Sequence, residues 1–130
     1  MRHKPFCLLV TLFATALPTI GHAAVTQDTF LLGSTADLVQ LCTASPSDPM
    51  GTAALNFCHG FGVGVFRVLQ EIETAEKTHS FCMPDPLPTR NEALASFIQW
   101  SKENPGQLSL PPQDGIEAFL SKQYPCTHRK

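Results

Sequence analysis

The stretch "ALNFCHGFGVGVFRVLQEI", Ala54 to Ile72, decides how the chain folds. Apolar side chains at Ala54, Phe57, Cys58, Phe61, Val65, Val68, Leu69 and Ile72 recur at steps of three and four, the period of one helix face. The run from Ala53 to Leu69, broken at His59 and Arg67, reads as a buried central helix rather than a membrane span. Strand-like alternation is sustained nowhere in the sequence, so the fold class expected is all-α.

The same stretch excludes several chemistries. A c-type haem attachment needs Cys-x-x-Cys-His, and Leu55 stands where the first cysteine would be. A phosphate cradle needs its glycines between a strand and a helix, whereas Gly60, Gly62 and Gly64 lie within helical periodicity. A zinc site drawing on Cys42, Cys58, His59, Cys82, Cys126 or His128 lacks any pair of cysteines at the usual short spacing. Gly60 and Gly64 share a helix face instead, and are expected to let a second backbone pack closely.

The N-terminus sets the compartment. Arg2 and Lys4 precede the apolar run Phe6 to Leu17, Pro18 ends it, and Gly21 and Ala23 supply the small residues that signal peptidase accepts. Residues 1–23 are thus expected to be a Sec-type signal peptide cleaved after Ala23, and residues 24–130 the mature domain in the periplasm. Cys7 would leave with the signal. The full chain carries nine basic against eleven acidic residues; without Arg2 and Lys4 this becomes seven against eleven, a net of −4. Nothing in that balance favours nucleic acid as a partner.

Proline and glycine cluster at Pro46–Gly51, Pro84–Pro88, Pro105–Gly106 and Pro111–Pro112, dividing the mature chain into four helices. Ser34 with Asp37 caps the first, which shows Leu38, Leu41 and Cys42 on one face. The second begins after Asp48 with Pro49 in its first turn and ends in the polar tail Glu71–Lys77. Thr89 and Glu92 form a capping box for the third, with Ala93, Leu94, Phe97, Ile98 and Trp100 inward. The fourth opens near Pro112, buries Ile116, Phe119, Leu120 and Tyr124, and stops at Pro125.

Cys42, Cys58, Cys82 and Cys126 form an even set in an exported chain and read as two disulfides, although sequence alone leaves three connectivities open. A hairpin of the first two helices would join Cys42 to Cys58. Antiparallel third and fourth helices would join Cys82 to Cys126. In the chain-entropy model these closures contribute about 3 and about 4 kcal/mol, comparable to the whole margin of a small domain.

Five pieces in order, "LVQLC" (Leu38–Cys42), Cys58-x-Gly60-Phe61-x-x-Gly64, "FCMP" (Phe81–Pro84), Trp100 shortly before Asn104-Pro105, and "YPC" (Tyr124–Cys126), resemble the Rap/Tai family of immunity proteins. The sequence departs from that pattern in its glycine-rich second helix and in "QDG" (Gln113–Gly115), where an alanine-bearing helical start would stand. The resemblance implies a small helical, disulfide-stapled, commonly homodimeric periplasmic protein with no cofactor and no enzymatic activity. Such a protein is the immunity half of an effector–immunity pair. It occludes the cleft of a Cys-His peptidoglycan amidase delivered by type VI secretion.

Carried onto this chain, the resemblance makes the loop between the third and fourth helices the first candidate for effector binding: Lys102, Glu103, Asn104, Pro105, Gly106, Gln107, Leu108 and Ser109. Its Pro-Gly turn and short span limit the entropy lost on docking. Arg90, Asn91 and Gln99 on the third helix come second, and Asp85 in the proline-rich loop third. The competing function is a periplasmic helical chaperone or stress-related binding protein without a toxin partner, responding to protonation of His59, His79 and His128.

Overall fold

A computed structural model describes residues 24–126. The expected signal peptide and cleavage site, and His128, lie outside the described residues. Among the described residues there are four α-helices and no strand: α1 (Thr35–Cys42), α2 (Gly51–Glu76), α3 (Arg90–Glu103) and α4 (Pro112–Gln123). Single 3-10 turns stand at Gln27–Leu31 and Pro105–Gln107.

The eight-residue α1 is the hub. Alone it would be too short to persist in water, but it packs against α2, α3 and α4 and buries Thr35, Leu38, Leu41 and Cys42. Its start is fixed by the expected box, in which the Ser34 amide donates to Asp37 at 2.9 Å and the Asp37 amide to the Ser34 hydroxyl at 3.4 Å. The box of α3 is also present, with the Glu92 carboxylate accepting from the Thr89 amide and hydroxyl, both at 2.8 Å. Phe97, Trp100 and Phe119 close the core between α3 and α4, with ring centroids 5.4–6.0 Å apart.

Both bridges form as the antiparallel geometry anticipates. Cys42–Cys58 ties the last residue of α1 to the buried face of α2, and Cys82–Cys126 ties the approach to α3 to the chain beyond α4. The Cys82 amide also donates to the Tyr124 carbonyl at 2.7 Å, so backbone and sulfur fasten the same place.

Three expectations need correction. Pro49 does not open α2: Met50 is its N-cap and Gly51 its first residue. A side chain at Gly51 would collide with the Ser45 carbonyl, so the turn closes against bare backbone. Nor is α2 a buried central helix. At 1.5 Å per residue its 26 residues extend about 39 Å, about three times the reach of α1, and much of its apolar surface is left uncovered. Gly51, Ala54 and Cys58 alone are buried in it, while Phe57, Val68 and Ile72 are 37%, 57% and 45% exposed. Finally, among the described residues nothing beyond α2's own neighbouring backbone lies within 4 Å of where the Cβ atoms of Gly60 and Gly64 would sit, so the close packing expected there is not made by those residues.

The glycine of "QDG" does have a packing role. Gly115 is buried against Thr35 of α1, and a Cβ there would overlap the threonine side chain. The overhanging end of α2 is held by Glu73, whose Oε1 accepts from the Ser80 amide at 2.6 Å, the Ser80 hydroxyl at 2.5 Å and the Phe81 amide at 3.3 Å. This clasp turns the chain so that Phe81 enters the core beside Phe66. Partial desolvation pulls the Glu73 carboxyl upward, but the Ser80 and Phe81 hydrogen bonds and the nearby His79 outweigh it and hold the value below the ordinary one.

Gly115→Ala is expected to destabilise the domain by about 1–3 kcal/mol through overpacking, whereas Gly62→Ala, entering open space, gains up to about 1 kcal/mol of helix propensity. Denaturant melts of the two variants check this ordering. Because the Glu73 value is lowered on folding, its clasp contributes above the ordinary carboxyl value of 4.5 and is lost as pH falls through the depressed folded value. Exchange of the Ser80 and Phe81 amides, corrected for intrinsic pH dependence, should therefore quicken below that range, and Glu73→Gln should abolish the effect.

Candidate functional site

The α3–α4 connection leaves α3 at Asn104, whose amide and side-chain Nδ2 both donate to the Trp100 carbonyl, at 3.0 and 2.8 Å. Pro105 starts a 3-10 turn, closed by the Gln107 amide donating to the Asn104 carbonyl at 2.9 Å. The loop then supplies what α1 lacks. The first amides of a helix have no partner inside it, and here the Thr35 amide donates to the Leu110 carbonyl at 2.7 Å and the Ala36 amide to the Leu108 carbonyl at 2.9 Å. The Thr35 hydroxyl, fully buried, is placed to donate to the Leu110 or Pro111 carbonyl, at 3.0 and 3.2 Å.

This strap fixes the loop from its inner side and leaves its outer side free. Lys102, Glu103, Pro105, Gly106, Gln107 and Ser109 are exposed, with Asn104 and Leu108 half-buried. Gln99 belongs to the same end, its Nε2 donating to Glu103 at 2.7 Å. A shallow polar depression beside the loop joins Gln99, Glu103 and Asn104 of this region to Lys122 and Gln123 of α4. No sequence signal points to Lys122 and Gln123, since only the fold brings the end of α4 to the end of α3.

The other candidates do not join this surface. Arg90 and Asn91 open α3 while the loop follows its last residue, and 14 residues separate the two ends by about 20 Å. Asp85 is exposed in the loop leading into α3, and so belongs with Arg90 and Asn91. The candidate residues therefore form two regions, of which the strapped loop is continuous and the second is scattered. Both bridges together consume Cys42, Cys58, Cys82 and Cys126, leaving no thiolate among the described residues for nucleophilic chemistry.

The family model of the Rap1a immunity proteins matches residues 34–126, from the cap of α1 to the last bridged cysteine. The chain belongs to the Rap1a immunity protein family. Comparison with curated proteins and with solved structures finds no match. Membership in the Rap1a family implies an effector-immunity role exercised by binding a cognate effector protein. The matched span contains all four helices, both bridges and the strapped loop.

Proposed function

We propose that this Rap1a-family protein acts in the periplasm, where it binds and occludes the active-site cleft of a peptidoglycan amidase effector of type VI secretion and so protects the producing cell. The observation that carries the reading is the loop from Asn104 to Ser109, held from within by α1 and exposed outward. A segment already fixed in shape loses little entropy on entering a cleft. Occlusion also asks for no chemistry from the inhibitor, in keeping with four cysteines locked in bridges.

We further propose that the protein works as a homodimer. Ala53, Phe57, Gly60, Gly64 and Val68 form an exposed seam along one flank of α2. In an antiparallel pairing about Gly64, Val68 of each copy would stand over Gly60 of the other, a self-complementary match of side chain to gap. Small residues at such positions let helix backbones approach.

The mature protein is expected to inhibit cell-wall digestion by a Cys-His amidase encoded beside it. Gln107→Arg with Ser109→Arg, which leaves the strapping carbonyls intact, should weaken inhibition about thirtyfold or more; full inhibition by the double variant would remove the loop from the mechanism. Light scattering at micromolar concentration should give a dimer for the wild type and a monomer for Gly64→Leu. A monomeric wild type would overturn the proposed pairing.

A further inference from the structure

α2 packs on α1 and α4 but hardly on α3, and between α2 and α3 opens a groove of about 340 Å³. Its floor is the core itself, including Leu38 and Phe119. One wall is α2, through His59, Gly62, Val63 and Arg67; the other carries Leu87, Arg90 and Leu94. Gly62 keeps the groove open, since a side chain there would meet nothing within 4 Å. Leu87 is 62% exposed along the opposite wall. The volume lies in the range of small-ligand sites, about 300–1,000 Å³, which are typically apolar with a few polar groups.

The charge around this groove is lopsided. Arg67 and Arg90 are the only arginines among the described residues, and both line it and remain exposed. None of the eleven Asp and Glu residues of the chain lines it. Neither arginine has an ion-pair partner among the described residues. Burial, and then the charge of Glu92, raise the Tyr124 phenol that lines the groove, and one Glu92 oxygen, Oε2, accepts from the Thr89 amide and hydroxyl.

The lining also discriminates between occupants. Most of it is helical, so its backbone amides and carbonyls are already paired within helices. A peptide entering the groove would leave its own main-chain groups without partners, at a cost a hydrocarbon chain does not incur. We propose that this groove binds a single-tailed amphiphile with an anionic head, its alkyl tail lying on the floor and its head held by Arg67 and Arg90 at the mouth. His59, half-buried on the α2 wall, stands beside the same opening. The inference is independent of the immunity role.

Titration calorimetry of the mature, oxidised protein with decanoate and with decyl phosphate, each below its micellar concentration, tests it. Saturable binding at one site is expected for at least one of them, the tighter identifying the head group as carboxylate or phosphate. Decyltrimethylammonium, with the same tail and opposite charge, and inorganic phosphate, with no tail, should both bind far more weakly. Arg67→Gln with Arg90→Gln should weaken binding about tenfold or more, and Gly62→Leu should block it while circular dichroism shows the helices intact. No saturable binding by either anionic amphiphile would overturn the proposal. So would equal binding of the cationic amphiphile or of bare phosphate, or binding unchanged in both variants.

Discussion

The bridge between Cys42 and Cys58 is the constraint on which the remainder depends. It joins the end of an eight-residue helix, unable to persist alone, to the first third of a helix more than three times its length. With α1 fixed there, its buried face serves α2, α3 and α4 together, and its N-terminal amides become the anchor for the α3–α4 loop. The second bridge closes the other end of the domain, where Cys82 and Cys126 bring the approach to α3 against the tail of α4. A mature chain this small buries limited apolar surface, so a covalent frame and a hydrogen-bonded strap take over work that a larger core would do.

This frame suits the effector-binding role that the family implies. The strapped loop is presented with Pro105, Gly106, Gln107 and Ser109 exposed and its inner carbonyls committed to α1. Membership in the Rap1a immunity proteins implies a bound effector, and the proposal that this loop meets it rests on the loop's fixed shape, which limits rearrangement on docking. One flank of α2 stays largely exposed, with Phe57 meeting the Phe30 ring edge-on at 5.4 Å, while another flank forms a wall of the groove facing α3. One helix thus presents two distinct surfaces, separated by the face that carries Cys58.

Local signals were legible in the sequence wherever the interaction was local. Ser34 with Asp37 and Thr89 with Glu92 act within a single turn, and Pro112 opens α4 because the first helical position tolerates its missing amide. The observed cysteine pairing is the one, of three open to the sequence, that antiparallel helices bring together. What escaped was non-local. The start of α2 is set by Gly51 lying against the Ser45 carbonyl, and the apolar period of α2 describes a face without saying how many neighbours cover it. The loop is legible from its Pro-Gly turn, but the bond from Thr35 that holds it spans 75 residues, and no sequence pattern announces it. Gly115 against Thr35 is a second case of the same kind.

Thermal unfolding of the mature protein, oxidised and then fully reduced, tests the role of the sulfur frame most directly. If the bridges hold α1 and the strapped loop in place, reduction lowers the midpoint by about 20 °C or more, in line with about 7 kcal/mol of lost constraint in a domain this size. A midpoint unchanged by reduction would show that packing alone maintains the helices, and would contradict the dependence of the loop and both α2 surfaces on the bridged frame.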